Sequence, residues 1–229
     1  MYKTLDVTKI SATIERLERR IAERFPQSGL RKVAHELKTI SDQSAERTTS
    51  ISKPLIVLRL AIGVILLAAI GSFLAALSQI NVPEKALSLA EWVPVTEAAL
   101  NTIVLMGAAI FFLLSFENRI KRRRALQSLH QLQSIAHVID MHQLTKDPAI
   151  ITQESNTPAS PMRDMTSFEL NRYLDYCSEL LSLTGKLAAV FGQSINDHEV
   201  IAASNAIELL TTNLARKIWQ KISYLVSHG

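Results

Sequence analysis

The segment HVIDMHQLTKDP, residues 137–148, concentrates side chains that could do chemistry: two histidines, two aspartates and a lysine. Such groups bind metal ions or transfer protons when they meet on one surface. On a helix, His130, His137 and Asp140 share a stripe about 80° wide, because each residue turns by about 100°. His142 points about 140° away from His137, so it cannot join the same site within one chain. The stripe residues are therefore the candidate metal ligands or sensor groups.

The spacing of this stripe favours a structural role over catalysis. A structural zinc site usually shows a CxxC or closely paired histidines, and a HExxH pair puts its histidines four residues apart; the chain has neither. The simplest interpretation is that His137 hydrogen-bonds Asp140 at the edge of an apolar face. A pH-sensitive contact and a metal or catalytic centre remain as alternatives. A glycine-rich phosphate loop and a GxSxG elbow are also missing from the sequence, so no cofactor and no enzyme are expected.

Two apolar segments predict a membrane protein. Residues 60–77 carry no charge, and a helix of that length covers about 27 Å, close to the thickness of a bilayer core. Residues 98–116 are likewise uncharged and lie between Glu97 and Glu117. A signal peptide is not expected, because roughly fifty hydrophilic residues precede the first segment. The sequence thus predicts two spanning helices joined as a hairpin.

Basic residues set the expected orientation of this hairpin. Lys53 and Arg59 lie at the start of the first span, and a cluster follows the second span; its members are Arg119, Lys121, Arg122, Arg123 and Arg124. The connection between the spans contains a single basic residue, Lys85. By the positive-inside rule, both termini are predicted to be cytoplasmic. We interpret the basic residues as contacts to anionic lipid headgroups and expect no nucleic acid partner, because aromatic residues and recognition motifs do not accompany them.

The spans themselves carry no acid, base or histidine in their cores. A two-span monomer cannot enclose a transport route, so a pore would need several subunits, lined by Asn101, Thr102 and Ser115. Small residues offer a packing face on the first span, either to the second span or to another subunit. Its members are Ala68, Gly71, Ser72, Ala75 and Ala76.

The remaining segments predict amphipathic helices and an all-α fold class. Apolar residues recur at three- and four-residue steps from Ile10 to Phe25, from Leu30 to Ile40, along residues 129–139, and in the last third of the chain. Thr166 with Glu169 matches a capping box, Gly192 is expected to end that helix, and Asn196 to Glu199 is a second match. The single cysteine, Cys177, lies on a predicted core face.

One surface points to a partner. Ile201, Leu209 and Trp219 project away from the apolar stripe of the last helix. We expect them to contact either the N-terminal hairpin or another subunit, with the intramolecular contact favoured.

The predicted architecture is a two-span transmembrane hairpin with a cytoplasmic bundle of amphipathic, coiled-coil-like helices. Its parts are an N-terminal hairpin (1–53), span 1 (54–80), an external loop (81–95), span 2 (96–118), a stalk (119–146), a linker (147–165) and a C-terminal hairpin (166–229). The first hypothesis is a homo-oligomeric membrane scaffold that assembles or docks partners through this bundle. The alternative is an oligomeric ion channel, and a further alternative is a His-based sensor or enzyme.

Overall fold

The computed structural model describes residues 4–52, 56–78, 89–146, 148 and 165–228. Helices hold 92% of these residues, and no strand occurs among them, which confirms the all-α class. The helices are α1 (Val7–Arg24), α2 (Gly29–Ser52), α3 (Ile56–Ser78), α4 (Leu89–Leu144), α5 (Ser167–Ser194) and α6 (His198–His228). Lys53, most of the predicted external loop (81–88) and most of the predicted linker (147 and 149–164) lie outside the described residues.

Capping residues explain where several helices begin. The Asp6 carboxylate accepts hydrogen bonds from the amides of Thr8 and Lys9 at 2.9 and 3.4 Å, so it satisfies amides that α1 leaves unpaired. The capping box predicted for α5 is confirmed, because Thr166 and Glu169 each bond the other's backbone amide.

Two predicted helix ends were wrong. Gly192 does not terminate α5, which continues to Ser194. A Cβ on Gly192 would lie 3.0 Å from Ser204 Oγ of α6, so this glycine serves a close approach between the helices. The cap of α6 is Asp197 rather than Asn196, since Asp197 Oδ1 accepts from the amides of Glu199 and Val200.

Helix α4 is a single helix of 56 residues, about 84 Å long at 1.5 Å per residue. It begins at Leu89, inside the predicted external loop, so the second half of that loop is helical. Pro94 falls in the second turn, where it removes one backbone hydrogen bond without ending the helix. The predicted second span and the predicted stalk therefore belong to one continuous element.

The chain divides into two compact units, of which the first combines Met1–Ser52 with Arg122–Gly229. In this unit α5 packs along α6, α1 packs along α2, and both helices of the N-terminal hairpin contact α5. The apolar faces predicted from spacing are buried in one core, which we call the bundle core. Its fully covered members include Ile14, Leu17, Ile21, Leu30, Leu37, Leu129, Leu132, Ile139, Leu174, Leu180, Leu181 and Phe191.

The second unit, Lys53–Lys121, contains α3 and the first part of α4. Its apolar side chains are largely exposed; Leu67 of α3 and Phe111 of α4 are 72% and 74% exposed. Within the described residues, α4 alone is long and apolar enough to cross a membrane, with an unburied window of mean hydropathy 2.1. The described apolar run of α3, Leu60–Ser72, is shorter. One candidate span is therefore present, and the two-span hairpin is not confirmed.

Candidate functional site

The histidine stripe of the stalk faces outward. His130 and His137 are exposed, and no hydrogen bond joins His137 to Asp140 among the described residues. Asp140 Oδ1 instead accepts a hydrogen bond from Gln143 Nε2 at 2.6 Å. Nor do three His, Cys, Asp or Glu side chains converge as metal ligands anywhere in the described part of the chain. The stripe residues are thus placed along one face without forming a metal-binding group.

The polar residues that do converge lie at the end of α4. Lys221 of α6 donates from Nζ to the carbonyl of Gln143 at 2.9 Å and to that of Lys146 at 3.5 Å. The Gln143 carbonyl belongs to the last turn of α4, whose partial negative charge attracts a cation, and the Lys146 carbonyl lies two residues beyond the end of the helix. Lys221 therefore caps α4 from a helix that lies more than seventy residues further along the chain.

His142 lies between two helices of the bundle, as does His35, whose Nδ1 lies 2.8 Å from Glu18 Oε1. The His142 ring lies against Gly29 at the start of α2; a Cβ on Gly29 would overlap Cε1 and lie 3.1 Å from Nε2. Burial and the nearby Lys146 ammonium lower the pKa of His142 below its ordinary value, because both disfavour the imidazolium form. The glycine thus provides the space that lets α2 meet the end of α4.

Two buried groups of α5, Cys177 and Tyr173, are held in their neutral forms. Burial raises the pKa of the Cys177 thiol to about 12, with a smaller opposing effect of Lys221. Burial also raises the pKa of Tyr173, whose ring is contacted by Phe25 at 5.4 Å and by Lys146 Nζ at 5.6 Å. A protonated thiol with no exposed surface is a poor nucleophile. The contacts of Tyr173 with Phe25 and Lys146 join α5 to α1 and to the end of α4. Neither Cys177 nor Tyr173 is activated as a nucleophile.

The basic cluster divides into paired and exposed residues. Arg122 binds Asp197 through Nε and Glu199 through an Nη atom, both at 2.8 Å, and so links α4 to the start of α6. Lys121 Nζ lies 2.8 Å from Glu117 Oε1, one turn earlier. The guanidinium groups of Arg119, Arg123 and Arg124 belong to exposed residues. Lys53 is outside the described residues, and the Arg59 side chain is not among the described side chains.

The polar and small residues predicted for pore lining and helix packing lie on α3 and α4. Asn101 and Ser115 are exposed and Thr102 is half-buried, each on α4. On α3, the residues Ala68, Gly71, Ser72 and Ala75 are exposed, and the Ala76 side chain is not described. Among the described residues, a Cβ built on Gly71 would meet no atom within 4 Å apart from its chain neighbours and the nearby backbone of α3. Pore lining and helix packing by these residues therefore stay predictions.

An open groove lies between the start of α1 and α5. It holds about 1260 Å³ and is lined by both signs of charge, including Asp6, Lys9, Glu179 and Lys186. Glu179 is already paired with Arg20 at 2.9 Å. Lys186 Nζ donates a hydrogen bond to Ser182 Oγ, one turn earlier on α5. The described residues of the groove form no set of metal ligands.

The outward face of α6 is uncovered. Ile201, Leu209 and Trp219 are 37%, 64% and 60% exposed. The N-terminal hairpin packs on α5, and the contact of these side chains with the hairpin or with another subunit stays a prediction. These three side chains form an exposed apolar surface on the bundle, at the positions that the sequence indicated.

Sequence reasoning missed Lys221, Gln143 and Gly29 as a junction, since no local spacing connects residues so far apart. It did single out the segment 137–148, in which α4 ends. No protein-family model matches the chain, and comparisons with curated proteins and with solved structures find no match. Its function must therefore be inferred from its own residues.

Proposed function

We propose that this chain is an integral membrane interaction protein whose two-span hairpin anchors a cytoplasmic helical bundle for assembly or partner docking. One observation carries the proposal: residues before and after the apolar unit share a single core. Phe25 of α1 contacts the rings of Tyr173 and Tyr176 of α5 at 5.4 and 6.1 Å, and Arg20 pairs with Glu179. This shared core supports an arrangement in which residues 4–52 and 122–228 lie on the same side of a membrane.

This shared core constrains how often the chain crosses a bilayer. If the apolar part of α4 spans once, residues 1–52 and 122–229 would face opposite compartments, and the bundle core could not form. An even number of crossings removes the conflict. The other described apolar helix between these two segments is α3, whose 23 residues cover about 35 Å. A hairpin of α3 and α4 is the arrangement that satisfies both the bundle and the bilayer.

The exposed apolar surface of α3 and α4 supports a lipid environment. Large side chains on both helices are more than half exposed, including Leu60, Val64, Ile103 and Phe112. Contiguous surfaces of this kind are unfavourable in water and are normally covered by lipid or protein. Lipid can cover the exposed apolar side chains of α3 and α4 together. A protein partner would have to cover those of both helices.

Charge favours an orientation with both termini in the cytoplasm. Arg119, Arg123 and Arg124 are exposed beside the apolar part of α4 and can contact anionic headgroups. Arg122 and Lys121 contribute less to such contacts, because acidic neighbours already neutralise them.

Cysteine labelling in intact cells tests this topology. The variants Thr4→Cys, Ser88→Cys and Ser134→Cys place a thiol in the N-terminal hairpin, between the spans and on the stalk. A membrane-impermeant maleimide should label Ser88→Cys directly and the other two only after permeabilisation. The wild-type chain is the control, since Cys177 is fully buried. Labelling of Thr4→Cys and Ser134→Cys from opposite sides, or release of the protein by alkaline carbonate, would contradict the proposal.

A further inference from the structure

We propose that α4 of one copy of this chain contacts α6 of a neighbouring copy anchored in the same membrane, with the two helices pointing the same way. The contact lies between the outer face of α4 after Arg122 and the outer face of α6. It rests on the proposed function and deepens it, since it names the partner that the bundle binds. Association between copies tests the contact, whereas labelling across the membrane tests the anchoring.

Helices α4 and α6 run parallel and in step within one bundle. Arg122 binds Asp197 and Glu199 at one end, and Lys221 binds the carbonyl of Gln143 at the other. The partners in these contacts are 75, 77 and 78 residues apart in the sequence. Because the separation is nearly the same at both ends, each residue of α4 lies level with the residues of α6 that come 75–78 positions later.

A shared bilayer fixes the height at which two copies meet. The apolar part of α4 precedes Arg122 in the same continuous helix, so in the proposed topology it anchors every copy at the same depth. Neighbouring copies then stand side by side, and α4 of one copy is parallel to α6 of the next. The separation of 75–78 residues therefore predicts which residues are level between copies as well as within one.

The polar groups of the two faces are complementary at equal height. Asp140 of α4 is level with Arg216 of α6, and His130 is level with Glu208. Asp140 is half-buried and the other three are exposed, and none of them takes part in an ion pair among the described residues. Asp140 Oδ1 accepts one hydrogen bond from Gln143, and a carboxylate can accept several. Arg216 of the neighbouring copy can therefore pair with Asp140, and a His130 N–H can donate to Glu208.

Large apolar side chains meet in the same register. Met141 and Leu144 near the end of α4 are 66% and 61% exposed, and Trp219 of α6 is 60% exposed. Trp219 is level with both of them. A thioether against an aromatic ring is favourable, and an exposed tryptophan is typical of the residues that dominate the binding energy of interfaces. The contact removes from water three side chains that a single bundle leaves exposed.

Pairing of like faces is unfavourable in the same orientation. Two α6 helices at equal height would set Glu208 against Glu208 and Arg216 against Arg216, and two α4 helices would set Asp140 against Asp140. Like charges across an interface are unfavourable, so the charge pattern selects α4 against α6. Because this contact joins two different faces, its repetition about an axis normal to the membrane generates a ring of copies.

Disulfide cross-linking between two differently tagged full-length copies, coexpressed in one membrane, tests the register. Gln133 of α4 and Leu209 of α6 are level and exposed. A membrane that holds Gln133→Cys and Leu209→Cys should give a covalent heterodimer under mild oxidation, and neither variant alone should cross-link. Gln133→Cys with Gln220→Cys is the matched control, because Gln220 lies about 16 Å further along α6 than Leu209. The native Cys177 is fully buried in every copy.

Each other pattern of cross-linking contradicts the contact. A covalent dimer of Gln133→Cys alone would show that α4 meets α4, and a dimer of Leu209→Cys alone would show that α6 meets α6. Either result would overturn the proposal. Equal cross-linking in the Gln220→Cys control, or no cross-linking in the mixed membrane, would overturn it as well.

Charge reversal gives a second, independent measurement. Arg216→Glu sets two acidic groups against each other and should raise the dissociation constant of the assembly by about tenfold, as measured by light scattering in detergent at low ionic strength. Adding Asp140→Arg to the same chain restores the ion pair in the opposite sense and should return the dissociation constant to the wild-type value. A monomeric wild type, or a double variant as weak as Arg216→Glu, would overturn the contact. Retention of these variants in membranes washed with alkaline carbonate would leave the anchoring role intact.

Discussion

Gly29 at the start of α2 is expected to be a position where alanine destabilises the bundle, against the usual trend for helices. Glycine-to-alanine changes in compatible helical positions stabilise proteins by about 0.4–1 kcal/mol, chiefly because the unfolded chain has fewer conformations to lose. Here the added Cβ would overlap Cε1 of His142 and lie 3.1 and 3.2 Å from the two ring nitrogens. The half-buried ring has to rotate away, and overpacking of this kind costs about 1–3 kcal/mol. We therefore expect Gly29→Ala to lower the free energy of unfolding by about 1–2 kcal/mol.

A double-mutant cycle isolates this contact. In a His142→Ala background the ring is absent, so Gly29→Ala should raise the free energy of unfolding by about 0.5 kcal/mol. The coupling energy between the two positions is then about 2 kcal/mol. Urea denaturation of the four proteins in detergent, followed by far-ultraviolet circular dichroism, measures it. A coupling below about 0.5 kcal/mol would show that the ring does not occupy the space above Gly29.

Three other outcomes follow from charge and burial. The folded-state pKa of His142 lies below its ordinary value of 6.5. The stability that His142 contributes is therefore present above pH 6.5 and is lost as the pH falls through the lowered pKa. Denaturation measured at several pH values should show this loss in the wild type and not in His142→Gln. Asp197→Ala removes both the α6 cap and the bond to Arg122, so it should lower the free energy of unfolding by about 2 kcal/mol. Asp197→Asn keeps the cap and should lower the free energy of unfolding by about half as much. Thermal denaturation measures both changes. Cys177 should react with a maleimide only after denaturation, because its thiol is buried and its pKa is raised to about 12; rapid labelling of the native protein would contradict this.

Helix faces could be predicted from this sequence because they depend on local periodicity. The burial of Ile14, Leu17 and Ile21 on α1, or of Tyr173 and Leu180 on α5, follows from their three- and four-residue spacing. A capping box such as Thr166 with Glu169 is equally local, since both partners lie within one turn. These features need no knowledge of the remaining chain.

Contacts between distant segments could not be predicted in this way. Arg122 resembles a lipid-facing arginine when only its neighbours in sequence are considered. Its partners Asp197 and Glu199 lie more than seventy residues away in the sequence and are brought to it only by the tertiary fold. Gly192 shows the same difficulty, because a glycine near a helix end suits either a terminus or a close approach. Only the position of Ser204 on the neighbouring helix distinguishes the two.

The histidines of the stalk differ in how they contact the rest of the bundle. Protonation is coupled to structure only where folding changes the surroundings of the titrating group. His130 and His137 share a face, but both are exposed, and replacing either removes no contact that the structure describes. His142 was set aside because it points elsewhere, yet its direction brings it against α2. His137→Gln should therefore change stability by less than about 0.5 kcal/mol, which makes it the matched control for His142→Gln. In this segment burial against another helix, rather than alignment along one helix, identifies the residue whose chemistry can affect the fold.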